Sequence, residues 1–111
     1  MRFEESKIGK VFVAKVLESR ISADVAPRFK EDIINYVTKG NRTLVLDLSE
    51  VTFIDSSGLG ALIASLKVIG NDGELMLCGV RDSVASMFKL TRMNKVFRMF
   101  PSPEEAAAAT L

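Results

Sequence analysis

The sequence of 111 residues contains no histidine and no tryptophan, and it has one cysteine and one tyrosine. Without histidine the chain lacks the usual general base for catalysis near neutral pH, and Cys78 has no imidazole partner that could activate its thiol. Metal-binding clusters of cysteine and histidine are absent for the same reason. These absences argue against an autonomous enzyme, and we expect no cofactor and no metal site.

Other features that the sequence lacks bear on compartment and partners. A single cysteine cannot form a disulfide within the chain, as expected in a reducing compartment. The longest mainly apolar run, residues 59–66, is far too short to span a bilayer, and the N-terminus has no apolar signal-peptide core. Fifteen basic and fourteen acidic residues give a net charge of +1, without the excess typical of a nucleic-acid surface. We therefore predict a soluble cytoplasmic protein that binds neither nucleic acid nor membrane directly.

The apolar patterns predict a single α/β domain over residues 1–111. Strands are predicted over residues 2–6, 11–17, 44–48, 74–79 and 96–100. Apolar positions at helical spacing predict helices over residues 24–40, 57–69 and 82–91, and a fourth helix after residue 102. The order is therefore ββαβαβαβα, and the strand–helix–strand alternation implies right-handed crossovers and a mixed, mostly parallel sheet with helices.

Polar residues and prolines predict where these helices begin. Asp24 is expected to cap the first helix, with Pro27 at its third position, where the missing N–H is tolerated. Asp82 or Ser83 is expected to cap the third helix. Ser102 begins a capping box before the alanine-rich terminal helix.

Residues 55–60, Asp-Ser-Ser-Gly-Leu-Gly, lie where a predicted strand ends and a helix begins. Such a junction offers free backbone N–H groups and the positive end of a helix dipole, which together favour a phosphate. Two consecutive hydroxyls exceed what capping needs, and each glycine in a helix costs about 1 kcal/mol relative to alanine. Neither a phosphate-binding loop of the form GxxxxGK[ST] nor a GxSxG nucleophile motif is matched. We expect Ser56 to cap the helix. Three alternative roles are open for Asp55: it caps the helix itself, orients the Ser57 hydroxyl, or contacts a partner.

Several other residues are expected to have structural roles. Cys78 is predicted to be a small buried residue in a strand. Four methionines are predicted to lie in the core: Met76, Met87, Met93 and Met99. Four basic residues are predicted to form a solvated face: Lys89, Arg92, Lys95 and Arg98.

Residues 44–60 resemble the signature of the STAS domain, and in particular that of the bacterial anti-sigma-factor antagonists. The resemblance extends over nearly the whole chain, since residues 88–97 and 101–106 are similar to the usual C-terminal third of that family. Ser57 falls on the phosphoacceptor position of the pattern. Ser22 stands where the family often carries an aspartate, a departure that concerns the usual partner surface.

The resemblance implies a switching mechanism. In the family, the unmodified domain binds an anti-sigma factor that is also a serine kinase with a GHKL-type ATP site, and this binding frees the sigma factor. The kinase then phosphorylates the motif serine, which ends the complex, and a serine phosphatase resets the switch. For this chain the resemblance implies phosphorylation of Ser57 and a partner surface that comprises Asp55, Ser56, Gly58, Leu59, Gly60 and Ser22.

Two other functions are compatible with the same residues. The chain could be a STAS accessory subunit of a transporter ATPase, in which the serine is a contact and is not modified. It could also be a small nucleotide-binding STAS protein that uses the helix N-terminus for phosphate, although no signature for base recognition accompanies the motif.

Overall fold

The computed structural model describes residues 1–110, and Leu111, the last residue of the predicted domain, lies outside the described part. The described chain contains the predicted strands and α-helices in the predicted order, with two further short strands that were not predicted. The strands are β1 (Phe3–Ile8), β2 (Val11–Val16), β3 (Arg20–Ile21), β4 (Thr43–Asp47), β5 (Phe53–Ile54), β6 (Glu74–Cys78) and β7 (Arg98–Phe100). The helices are α1 (Ala26–Thr38), α2 (Ser56–Ile69), α3 (Asp82–Leu90) and α4 (Pro103–Ala108).

The main sheet has five strands in the order β1-β2-β4-β6-β7. The β1–β2 hairpin is antiparallel and turns through Gly9, whose φ is +61°. The other three pairings are parallel, with Val45 of β4 opposite Val13 of β2 and Met76 of β6. The prediction of an α/β fold with a mixed, mostly parallel sheet is therefore confirmed.

Each face of this sheet is covered by helices, so the central strands are apolar on both sides. Side chains of α1, α2 and α3 pack on one face in the larger core, which contains Phe29, Leu62 and Phe88. On the other face α4 packs against β4, β6 and β7. Its Ala106 and Ala107 lie in a smaller cluster with Val11, Val13, Val45, Met76 and Cys78.

The structure differs from the predicted strands at several places, and β1 extends to Ile8, two residues beyond its predicted end. β3 and β5 were not predicted, and they pair in parallel as a separate two-stranded sheet. The last strand was predicted to begin at residue 96, but it begins at Arg98 because a 3₁₀ turn over Met93–Lys95 precedes it. Phe97 is instead buried against Phe88, with ring centroids 6.0 Å apart and an edge-to-face angle of 75°.

Of the caps predicted for α1, α3 and α4, two are wrong and one is confirmed. Asp24 does not cap α1, whose N-cap is Val25. Neither Asp82 nor Ser83 caps α3, because both already lie in the helix and its N-cap is Arg81. The Ser83 hydroxyl donates to the carbonyl of Thr52. Ser102 does cap α4, where its hydroxyl accepts from the N–H of Glu105 at 3.2 Å.

The residues with predicted structural roles lie as expected. Cys78 is buried in β6. Met76 is buried, and three other methionines (Met87, Met93 and Met99) pack partly buried against the larger core. The predicted basic face, Lys89, Arg92, Lys95 and Arg98, is exposed.

Of the helices in residues 1–110, none has both the length and the apolar character that crossing a bilayer requires.

Candidate functional site

The motif at residues 55–60 connects β5 to α2 at the edge of the small sheet. Ile54 pairs with Ile21 of β3, so the chain that leaves β3 and the chain that leaves β5 emerge side by side. Parallel strands end at the same edge of a sheet, which places the loop before α1 next to the start of α2. Ser56 and Ser57 are the first two residues of α2, and both are exposed.

Asp55 is the N-cap of α2, so the expectation that Ser56 is the cap is wrong. The backbone of Asp55 is extended, with φ −101° and ψ −176°, and its Oδ1 accepts from the N–H of Gly58 at 2.9 Å. Ser56 already lies in the helix and cannot serve as the cap. The second carboxylate oxygen of Asp55 accepts from the N–H of Ala23 at 2.9 Å. Asp55 therefore joins the start of α2 to the loop before α1.

Gly58 is at the centre of this junction and is buried. A Cβ added at residue 58 would lie 2.1 Å from the carbonyl oxygen of Ile21 and 2.8 Å from a side-chain carbon of Ile54. Leu59 is also buried, in the larger core. Gly58 and Leu59 were predicted to belong to the partner surface, but both are buried, and they hold α2 against β3 and β5.

Ser57 lies beside a shallow groove between α1 and α2 with a volume of about 370 Å³. A Cβ added at Gly60 would meet nothing within 4 Å, in contrast to one at Gly58. Small side chains line most of the groove, so another backbone can approach it closely. The groove is lined by Ala23, Ala26, Pro27, Lys30, Ser57, Gly60, Ala61 and Ala64.

Ser22 does not line the groove, although it is only one residue from Ala23. Its hydroxyl donates to the carboxylate of Asp24, and its carbonyl accepts from the N–H groups of Val25 and Ala26. The hydrogen bond from Ser22 stabilises the charged carboxylate and lowers the pKa of Asp24 below its ordinary value. Ser22 therefore shapes the entry to α1.

Within residues 1–110, no hydrogen bond joins the Ser57 hydroxyl to a side chain that could serve as a base. The sequence has no histidine. The carboxylate of Asp55, two residues away, binds the backbone N–H groups of Gly58 and Ala23. Of the three roles expected for Asp55, the structure confirms the capping role. The N–H groups at the start of α2 favour a negative charge at this position.

Lys30 and Ala23 belong to this site but were not predicted. The available signal for Lys30 was its spacing of four residues from Ala26, which puts both residues on one face of the helix. That this face borders the Ser57 groove depends on how α1 packs against α2.

Comparisons with known proteins agree with this fold and motif. The family model described as STAS domain matches residues 9–106. An anti-sigma-B factor antagonist of Listeria monocytogenes is 32% identical over 90 residues, which cover 80% of this chain and 75% of the relative.

Solved structures with a similar fold also include anti-sigma factor antagonists. An anti-sigma factor antagonist from Mycobacterium paratuberculosis has a TM-score of 0.87 and 26% identity, and the match covers 97% of this chain and 92% of that chain. The Bacillus cell fate determinant SpoIIAA in its phosphorylated form shares the fold, with a TM-score of 0.71 and 15% identity over 99% of this chain and 100% of that chain. The chain therefore belongs to the STAS domain family and is grouped with its anti-sigma-factor antagonists.

Proposed function

We propose that this protein is a cytoplasmic partner-switching module controlled by phosphorylation of Ser57. With Ser57 unmodified it binds an anti-sigma factor that is also a GHKL-type serine kinase, and it releases this partner once Ser57 carries a phosphate. A serine phosphatase resets the switch. The observation that carries the proposal is the exposed Ser57 hydroxyl at the start of α2, beside a groove lined mostly by small side chains.

The position of Ser57 suits a phosphoacceptor better than that of Ser56. Both hydroxyls are exposed, but of the two only Ser57 lines the groove between α1 and α2. Gly60, one helical turn further along α2, leaves the surface open for the backbone of a partner. A kinase docked in this groove would therefore have Ser57 within its interface.

The charge of a phosphate can end such a complex without refolding this protein. Phosphoserine adds about −1.5 to −2 charges at neutral pH, which the N-terminal end of α2 stabilises. A partner face that presents an acidic group is repelled, since like charges 4 Å apart interact by about 4 kcal/mol at an intermediate dielectric. Each 1.4 kcal/mol is a tenfold change in affinity, so release by orders of magnitude needs no change of fold.

Binding to candidate kinases from the same genome tests this proposal. We expect Ser57→Ala to bind its kinase with near wild-type affinity and Ser57→Asp to lose binding at least a hundredfold by calorimetry. Ser56→Asp is the matched control, because it adds the same charge one residue away from the groove-lining position. We expect it to reduce affinity less than Ser57→Asp does.

Phosphosite mapping after incubation with each kinase and ATP completes the test. A phosphate on Ser57 that is lost in Ser57→Ala supports the proposal. Binding of Ser57→Asp as tight as wild type would refute the charge mechanism. Capture of a transporter ATPase as the sole partner, without modification of Ser57, would favour the role of a transporter accessory subunit instead.

A further inference from the structure

The groove beside Ser57 contains one cationic group. Among the described residues that line it, Lys30 is the one with a charged side chain. Lys30 is exposed, and within residues 1–110 no carboxylate lies within 4.0 Å of its ammonium group. By contrast, Arg20 lies over the ring of Phe53, with its guanidinium carbon 4.2 Å from the ring centroid. Lys30 is therefore available to an anion in the groove.

Lys30 and Ser57 border the same groove, from α1 and α2 respectively. Lys30 follows Ala26 by one helical turn, about 6 Å along α1, and Ala26 and Ser57 border the same groove. The flexible four-carbon stem of a lysine lets its ammonium group move over the groove towards Ser57. The groove between them is lined by Ala23, Gly60 and Ala61, which have no side chain long enough to block this path.

Other charged groups near Ser57 are already engaged. Asp55 is the nearest carboxylate in sequence, and its oxygens accept from the N–H groups of Gly58 and Ala23. Asp24, in the loop before α1, accepts from the Ser22 hydroxyl. A phosphate on Ser57 would therefore lie at the positive end of α2, in a groove whose charged lining group is the ammonium of Lys30.

Resting on the proposed phosphorylation of Ser57, we propose that Lys30 is the counter-ion of the phosphoserine. Its three N–H donors match the acceptor oxygens of the phosphate. The ion pair draws the phosphate across the mouth of the α1–α2 groove, so the phosphate covers the surface that a partner needs. Lys30 then contributes to release by closing the groove as well as by fixing the charge in place.

The second ionisation of the phosphate, with a pKa near 6, reports this ion pair. Phosphoserine is incorporated at residue 57 during translation, and its ³¹P shift is followed by NMR from pH 4 to 8. We expect Lys30→Gln to raise this pKa by about 0.3–0.5 unit, the range of a partly exposed ion pair. Lys30→Arg keeps the positive charge and is expected to keep the wild-type pKa.

Lys67 provides the matched control. It is an exposed lysine in the last turn of the same helix as Ser57, ten residues or about 15 Å along the axis. We expect Lys67→Gln to leave the phosphate pKa unchanged. Equal pKa values in wild type and Lys30→Gln, or equal shifts in Lys30→Gln and Lys67→Gln, would overturn the proposal.

This titration is independent of any kinase, because the phosphate is installed during translation. Loss of the Lys30 effect would leave phosphorylation-controlled binding intact. If no kinase modifies Ser57, the proposed function is refuted, but the measured ion pair between Lys30 and the phosphate is unaffected.

Discussion

The carboxylate of Asp55 accepts a hydrogen bond from the backbone N–H of Ala23, 32 residues earlier in the chain, at 2.9 Å. The other oxygen of the same carboxylate caps α2 through the N–H of Gly58. One side chain therefore fixes both the helix that carries Ser57 and the loop that begins the opposite wall of its groove. Asp55 is therefore a positioning residue for the proposed partner surface.

Asp55 variants separate its two roles. Asp55→Ala removes both hydrogen bonds, and we expect the free energy of unfolding to fall by about 1–2 kcal/mol in urea denaturation. Asn is as good an N-cap as Asp, so Asp55→Asn keeps the bond to Gly58. Its amide NH₂ cannot accept from Ala23, so hydrogen exchange of the Ala23 amide should accelerate in both variants.

Ser56→Ala is the control for the Asp55 variants, because Ser56 is exposed and is not the cap. We expect it to change the free energy of unfolding by less than about 0.5 kcal/mol. Equal protection of the Ala23 amide in wild type and Asp55→Asn would contradict the hydrogen bond from the Ala23 N–H to the Asp55 carboxylate.

The two glycines of the motif should respond oppositely to alanine. A methyl group at Gly58 would lie 2.1 Å from the Ile21 carbonyl oxygen, so we expect Gly58→Ala to lower the free energy of unfolding by about 2 kcal/mol or more. A methyl group at Gly60 meets open space. Gly60→Ala should therefore raise stability by about 0.5–1 kcal/mol through helix propensity. Urea denaturation measures both, and equal effects of the two substitutions would contradict the packing at Ile21.

Ser22 should control the titration of Asp24. The Ser22 hydroxyl donates to the Asp24 carboxylate and is the main cause of its lowered pKa. We expect Ser22→Ala to raise the pKa of Asp24 towards its ordinary value, measured by NMR titration of the side-chain carboxyl carbon. Ser22→Asp places a second carboxylate beside Asp24 and should raise the pKa further. An unchanged Asp24 pKa in Ser22→Ala would show that another group is the donor.

The buried thiol of Cys78 should make the fold sensitive to alkali. Burial is the main cause that raises the pKa of Cys78 from 9.0 to about 12. Above pH 9 the unfolded chain therefore releases a proton that the folded chain retains, and this favours unfolding. We expect the free energy of unfolding to fall between pH 9 and 11 by about 1.4 kcal/mol per pH unit from this group.

Tyr36 adds a second contribution above pH 10, because burial and its hydrogen bond to Glu5 raise its pKa as well. Urea denaturation of wild type and Tyr36→Phe at pH 8, 9, 10 and 11 separates the two groups. The variant should keep the decline that begins near pH 9 and lose the additional decline above pH 10. A wild-type stability that is constant from pH 8 to 11 would contradict both raised pKa values.

The main sheet and its helices follow from local patterns in the sequence. The apolar run at residues 44–48 predicts a strand buried on both faces, and β4 pairs with a parallel strand on each side. Ser102 and Pro103 begin α4 as predicted, since a capping motif is a local feature of the chain. The Asp-Ser-Ser-Gly-Leu-Gly run at residues 55–60 was likewise correctly placed at the start of a helix, although β5, the strand directly before it, was not predicted.

By itself the sequence determined the fold class and the segment that carries the candidate phosphoacceptor Ser57, because periodicity and caps act between near neighbours. The tertiary structure decided which groups surround that serine. β3 and β5 have two residues each, too few for a periodic signal, yet their pairing brings Ala23 to Asp55. The packing of α1 on α2 likewise brings Lys30 to the Ser57 groove, because contacts between distant segments depend on how the whole chain folds.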